Sequence, residues 1–435
     1  MDPVTTGLFA LGILMLLLGA GTWIFSALMI VGFSILYFVL GFPLDRIGNV
    51  MKSIMWRAAS SWEVAAIPMF LLMGELIFRA DISDRIFRGL APLAARLPGG
   101  LVHTNIAGST LFAMVSGSSA ATTATIGKIT LKALRERGYD ERIFVGSLAG
   151  AGSLGLLIPP SIVMIIYGVV GGVSIARLFA AGLIPGLILA AMFSAYIAFV
   201  GLVRPGSVPE VRTPLSFQVL WRAMRDLGPM IVLIVFVLGG IYTGLATPSQ
   251  AAAIGVVVSI GVAAASGRLT FRLLHESLMA TVGMSAMICS ILVAAAFLST
   301  AVGFAHLPQD LASYIQGLDL SPYMLMFVLA LFFLVLGCFL DGISITVMSL
   351  PITLPLVTQA GWDPVWFGIF LVVMIEMAQI TPPVGFNLFV LQGLTGWSIY
   401  RIARVTIPFF LIMCAALTLF TLFPQISLWL PDAIW

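Results

Sequence analysis

Apolar runs recur along the whole chain, and the polar residues between them collect in a few compact places. In the first half the runs occupy 5–20, 22–42, 61–79, 140–170 and 176–203. In the second they occupy 227–245, 247–266, 278–304, 322–359, 364–395 and 402–430. Most reach the ~20 apolar residues that carry a helix across a bilayer. Two stretches are amphipathic instead. In 82–97, Ile82, Ile86, Leu90, Leu93 and Leu97 recur at helical spacing, with Asp84, Arg85, Arg88 and Arg96 between them. That stretch and 46–58 read as interfacial helices, the latter as an arm bracing neighbouring spans.

Two apolar stretches are interrupted near the middle. Residues 101–136 break at Ser116-Gly117-Ser118-Ser119, and 322–359 break at Asp341-Gly342-Ile343-Ser344. Two short helical legs meeting at a polar tip, a re-entrant hairpin, fit each break. Asp310 and Asp319 are expected in a loop just before the second. A broken helix follows each hairpin, over 140–170 and 364–395. The two copies align. Gly138, Tyr139 and Asp140 match Gly361, Trp362 and Asp363, and Pro159-Pro160 match Pro382-Pro383, all at an offset of 223. Pro185 matches Pro408 at the same offset, and Ser174-Ile175-x-Arg177 matches Ser398-Ile399-x-Arg401 one residue off. The chain therefore divides into a first repeat (1–204), a proline-rich and charged linker (205–225) and a second repeat (226–435). A hairpin returns to its own side, which leaves five crossings per half. Five is odd, so the second half is inverted relative to the first. The fold class expected is an all-α polytopic membrane protein of two inverted-topology repeats.

Composition agrees. Hydrophobic residues make up 60% of the chain and charged residues 9%, against about 25% charged in soluble domains. The net charge of +3 implies no nucleic acid. The first run has Asp2 and no cation in its flank, and reads as a retained span rather than a signal peptide. Of the 21 Lys and Arg, all but Arg46, Lys52, Arg57 and Arg177 fall on the side reached after the first crossing. That side is expected to be cytoplasmic. Both termini then face the periplasm, the first hairpin enters from the cytoplasm, and the second enters from outside. Cys289, Cys338 and Cys414 have no metal-like spacing and read as small buried hydrophobes. His103, His275 and His306 form no motif.

Unpaired backbone groups are expensive in hydrocarbon, so polar tips and Pro-Pro breaks at membrane depth require compensation. A proline inside a helix frees a carbonyl one turn earlier, and freed carbonyls suit a hard cation. Half-helix N-termini suit a carboxylate. One cluster comprises Ser116, Gly117, Ser118 and Ser119 with Gly150, Gly152, Ser153, Gly155 and Ser161; its small residues equally suit tight helix packing. The other comprises Asp341, Gly342 and Ser344 with Glu376, Gln379, Thr381, Gly385 and Asn387. Asp341 and Glu376 are expected deep in spans, where ionisable groups are functional candidates. No Lys or Arg accompanies either tip, which favours cation ligation or an internal polar network. Glu63 and Glu75 read as interfacial. Thr122, Thr123 and Thr125 either bond back to their helix or serve the site.

The segment SGSSAATTATIG followed by RGYD and GLLIPPSIVMIIYG resembles the large membrane subunit of tripartite ATP-independent periplasmic (TRAP) transporters. GCFLDGISITVMSLPITLP and EMAQITPPVGFNLFVLQG resemble the same family, so the likeness spans nearly the whole chain. The resemblance implies an elevator-type, sodium-driven importer of small organic acids in the bacterial inner membrane, within the wider ion-transporter superfamily. It implies a periplasmic substrate-binding protein and a small four-helix membrane subunit, here a separate chain, with membrane lipids around them and no cofactor beyond the coupling ion. Carried over, sodium would meet Ser116, Ser118, Gly152 and Ser153 at one tip, and Asp341, Gly342, Thr381 and Gly385 at the other. Substrate would lie near Ser119, Ser161 and Asn387, with Glu376 and Gln379 as further intramembrane polar groups. A stand-alone anion transporter of the same superfamily is the alternative within transport. An intramembrane enzyme would need a catalytic or redox constellation, and the chain offers none; a passive membrane scaffold would not need polar helix breaks.

Overall fold

A computed structural model describes residues 3–80, 82–204, 209, 216–316, 321–382 and 385–435. Among the described residues the regular structure is entirely helical. The first half contains α1 (Pro3–Gly19), α2 (Ile24–Ser34), α3 (Leu44–Ala59), α4 (Ala66–Arg79), α5 (Ile82–Ala94), α6 (His103–Ser116), α7 (Ser119–Glu136), α8 (Glu141–Leu157), α9 (Ile162–Gly171) and α10 (Ile175–Val203). The second contains α11 (Phe217–Tyr242), α12 (Pro248–Ala265), α13 (Phe271–Phe304), α14 (Leu307–Gln316), α15 (Pro322–Gly337), α16 (Gly342–Gln359), α17 (Pro364–Gln379), α18 (Phe386–Thr395), α19 (Ile399–Leu422) and α20 (Gln425–Ile434). Among the described residues, seven helical stretches are long and apolar enough to cross a membrane, or eight if α3 and the segment Trp62–Arg79, bent by 49°, form one span.

The centre is built by α8 and α17. Every residue from Phe144 to Leu157 and from Val365 to Ala378 is buried. Apart from Glu376, both sequences are apolar or small on all faces, which suits a helix enclosed on every side. Each starts from an aspartate. The Asp140 side chain accepts from the Arg142 N–H at 2.9 Å, and Asp363 accepts from the Val365 and Trp366 N–H groups at 2.7 and 3.1 Å. These bonds satisfy N–H groups that a helix start otherwise leaves unpaired. Gly138 and Gly361, two residues earlier in each half, take positive φ values of 76° and 88°, which glycine adopts without a Cβ penalty. The Gly-aromatic-Asp motif is thus a turn followed by a helix cap. Outer helices present large apolar side chains outward, among them Phe199, Phe236, Phe327 and Leu411. A water-exposed surface of that kind is unfavourable and a lipid-facing one is not.

Several expectations are corrected. Asp310 lies in α14, not in a loop; LPQDLASYIQ is amphipathic and continues as helix. Residues 217–225 belong to α11, whose Ser216 cap accepts from the Val219 N–H. Leu227 packs against Gly89 of α5, so tertiary contact draws that part of the expected linker into helix. The last apolar run ends as a span at Leu422, and α20 follows as a separate helix tied back by an Arg177–Asp432 ion pair of 2.6 Å. The three cysteines are half-buried rather than buried. Asp319, Pro383, Arg212 and most of the 205–216 segment lie outside the described residues.

Candidate functional site

The first tip is a short turn between α6 and α7. Gly117 closes α6 in the left-handed region at φ 57°, and Ser118 caps α7 by accepting from the Ala121 N–H. Thr122 Oγ1 donates to the Ser118 carbonyl at 2.8 Å and lies 2.9 Å from Ser116 Oγ. The tip presses on the break between α8 and α9. A Cβ placed on Gly117 would lie 2.9 Å from the Pro160 carbonyl oxygen, and one on Gly155 would lie 2.7 Å from the Ser118 carbonyl oxygen. Pro159 and Pro160 have no N–H to offer the carbonyls of Gly155 and Leu156. Glycine here is the condition for backbone-to-backbone contact between tip and break.

The second tip stands in the same relation to α17. Asp341 caps α16, accepting from the Ile343 N–H at 3.2 Å and from the Ser344 hydroxyl. A Cβ on Gly342 would lie 2.6 Å from Ile375 Cγ2, 3.5 Å from Gln379 Nε2 and 3.6 Å from Leu156 Cδ1. Gly337 abuts Ala378, and the Cys338 thiol faces the Pro382 carbonyl at 3.7 Å. The caps Ser118 and Asp341 are 223 positions apart, as are the first residues of α7 and α16 and their last, Glu136 and Gln359.

The two halves meet at Glu376, which is 1% exposed. Its Oε1 accepts from the Leu156 N–H at the end of α8 at 2.8 Å. Its Oε2 accepts from Ser119 Oγ, at the start of α7, at 3.3 Å. Ser119 Oγ in turn accepts from Asn387 Nδ2, in the first turn of α18, at 2.6 Å. One carboxyl thus ties α17 and α18 to the first tip and the end of α8. Asn387 Oδ1 and Gln379 Oε1 are buried without a hydrogen-bond partner.

The structure brings together Ser119, Glu376 and Asn387, and it places Ser116 and Ser118 at the first tip. Ser161 caps α9, its Oγ accepting from the Met164 N–H, immediately after the Pro160 carbonyl that Gly117 approaches. The small residues of α8 separate by face. Gly152 and Gly155 face the first hairpin, where Gly152 accommodates Thr123 Oγ1. Gly150 faces Phe409, and the Ser153 hydroxyl donates to the Gly150 carbonyl at 2.6 Å and contacts Met413 on α19. Ser153 therefore turns its side chain away from the tip. Thr381 Oγ1 donates to the Met377 carbonyl at 2.6 Å, and a Cβ on Gly385 would lie 2.9 Å from the Thr381 carbonyl. Asp341, expected deep in a span, is exposed on the protein surface. Of the three threonines, Thr122 bonds back to its helix, while Thr123 and Thr125 hydroxyls are buried without partners. Glu75 joins an ion-pair chain with Arg79, Glu276 and Arg272. The Leu156 amide was not legible as a site group, because a main-chain donor has no residue-type signal.

Comparison with known proteins identifies the family of the chain. The family model described as "Tripartite ATP-independent periplasmic transporter, DctM component" matches residues 11–426. The chain is 32% identical over 444 residues to a C4-dicarboxylate TRAP transporter large permease protein DctM of Rhodobacter capsulatus, covering 99% of both chains. It is 31% identical over 389 residues to an isethionate TRAP transporter permease protein DctMQ of Oleidesulfovibrio alaskensis, covering 89% of this chain and 60% of that one. Among solved structures, the Alcanivorax borkumensis YdaH transporter matches with a TM-score of 0.62 at 15% identity, over 90% of this chain and 89% of that chain, a likeness of fold alone. The chain belongs to the DctM family, the large permease subunits of tripartite ATP-independent periplasmic transporters.

Proposed function

We propose that this permease imports a small organic acid across the bacterial inner membrane, driven by a sodium gradient. A periplasmic binding protein delivers the substrate, and a separate four-helix membrane subunit accompanies the chain. The observation that carries this reading is the junction at Glu376, where a hairpin tip and a helix break of one half meet the broken helix of the other. There the first tip and the ends of α8 and α17 offer backbone oxygens for a cation, and the starts of α7 and α18 offer helix N-termini for a carboxylate.

In this reading the halves are inverted repeats. The matching element ends at an offset of 223 support it, as does the sidedness of the ion pairs. Arg79–Glu276 and Arg88–Asp226 join groups that the crossing count puts on one face, and Arg177–Asp432 joins groups on the other. The positive-inside rule makes the first face cytoplasmic and both termini periplasmic. Sodium is assigned to Ser116, Ser118, Gly152 and the Ser153 backbone at the first tip, and to Asp341, Gly342, Thr381 and Gly385 at the second. Substrate is assigned to the space bounded by Ser119, Ser161 and Asn387. Ions order the tips first. The hairpins and broken helices then move together, as an elevator, against the remaining helices.

The test is uptake of radiolabelled succinate and of sialic acid into proteoliposomes holding the permease with its small subunit. Uptake is expected only with external sodium and the binding protein. Equal uptake with potassium replacing sodium refutes the coupling, and uptake without a binding protein refutes the tripartite arrangement.

A further inference from the structure

A cavity of about 120 Å³ separates the second hairpin from the helices beside it. Residues of α1, α2, α13 and α14 form one wall, and residues of α15 and α16 form the other. Its floor includes Leu298 and Val302 of α13 and Met348 of α16, which are 5%, 3% and 8% exposed. Its rim carries Leu11 and Met15 of α1 and Phe332 of α15, all exposed. Close-packed interiors leave few voids larger than a water, and one water needs only about 10–15 Å³ of such space.

The lining decides what suits this space. Among the described residues it contains no charged side chain, and its only hydroxyls are those of Ser349 and Thr353. Each already donates to its own helix, Ser349 Oγ to the Ile345 carbonyl at 2.7 Å and Thr353 Oγ1 to the Ser349 carbonyl at 3.0 Å. Water is held in cavities that supply two to four polar partners, and apolar cavities take apolar guests. A partner helix, about 10 Å across with its side chains, is too wide to enter.

The mouth decides where the guest comes from. Leu11 lies midway along α1 and Phe332 near the middle of α15, and neither helix contains a charged residue. An opening at mid-helix on an uncharged, exposed apolar surface faces hydrocarbon, where acyl chains are the solvent. Small residues keep it open. Gly7 and Ala10, three apart and so on one face of α1, both line the cavity. Glycine in membrane helices commonly brings backbones together, but a Cβ on Gly7 would meet nothing within 4 Å among the described residues.

We propose that this cavity is a lipid site, into which one phospholipid acyl chain inserts its end between α1 and α15 and fills the space between the second hairpin and α13. The site does not depend on the transport reading. Under that reading it lies between elements that move and elements that stay, so its guest would brace the hairpin.

The test uses the full chain in proteoliposomes containing a phosphatidylcholine with a diazirine at the end of one acyl chain. After irradiation, cross-links are mapped by mass spectrometry. They are expected at Leu298, Val302 or Met348, which a lipid lying on the surface does not reach, as well as at the exposed Phe236. Gly7→Leu should lower the floor cross-links about fivefold or more, because its side chain takes up the space, with those at Phe236 unchanged. Ala10→Leu fills the cavity from the next turn and should do the same, so a folding defect in one variant leaves the other to decide. A diazirine beside the glycerol should label Phe236 and not the floor. Absence of floor cross-links while Phe236 is labelled, or floor labelling that survives both variants, overturns the proposal. Equal floor labelling by a water-soluble diazirine also overturns it, because the cavity would then be wet. Labelling requires no turnover, so absent uptake would count against the transport reading while leaving this result intact.

Discussion

Glu376, Ser119 and Asn387 form a chain in which each group depends on the next. Removing one partner of a buried hydrogen bond leaves the other unsatisfied, at about 1–3 kcal/mol. Ser119→Ala orphans both Asn387 Nδ2 and one Glu376 oxygen. Glu376→Ala orphans the Leu156 N–H and the Ser119 hydroxyl hydrogen, and it leaves a void as well. Glu376→Gln can still accept from Leu156, and the Ser119 oxygen can accept from two amides. The expected order of destabilisation is therefore Glu376→Ala, then Ser119→Ala, then Glu376→Gln, with Glu376→Gln within about 1 kcal/mol of wild type. Denaturant unfolding in detergent micelles measures it, and a Glu376→Gln variant as unstable as Glu376→Ala would contradict the hydrogen-bond account.

Among the elements, the contact between a hairpin and its break is sensitive to single atoms. Gly155→Ala would place a methyl 2.7 Å from the Ser118 carbonyl oxygen, which is main chain and cannot swing aside. The tip is expected to lift. Hydrogen–deuterium exchange over 116–122 should accelerate at least tenfold, with far-ultraviolet helix content unchanged. Gly393→Ala on α18 meets nothing within 4 Å and serves as the control, with tip exchange as in wild type. Similar exchange in both variants would mean that the tip does not depend on this approach. The interruptions at Ser116–Ser119, at Pro159-Pro160 and around Asp341 were legible in the sequence because glycine, serine and proline end helices for local reasons. The start of α11 and the helicity of α14 were less so, because amphipathic segments rich in polar residues become helix by docking on neighbours.

At the scale of the whole molecule, the proposed topology puts the Arg88–Asp226 and Arg177–Asp432 ion pairs on opposite faces. With the native cysteines replaced by alanine, Asp432→Cys is expected to react with an impermeant maleimide on right-side-out vesicles, and Arg88→Cys only after permeabilisation. Reaction of both from the same side would refute the crossing count. Arg79→Ala should lower stability by no more than about 1 kcal/mol, because its partners are half-exposed and Glu276 keeps Arg272. A larger loss in a thermal melt would show that the pair fixes α4 against α13 more firmly than surface ion pairs do.

The sequence by itself determined that the chain lives in a membrane and where its helices break, and it supplied the offset of 223 on which the proposed repeat rests. Those properties depend on residue type and spacing along one chain. Only the tertiary structure decided which faces of α8 serve the tip and which serve α19, that Glu376 answers to Leu156 and Ser119, and that Ser153 looks away. A side chain's partner depends on helix rotation and on which distant segment is packed beside it. Neither is encoded locally at Glu376, which is 220 positions from Leu156 and 257 from Ser119.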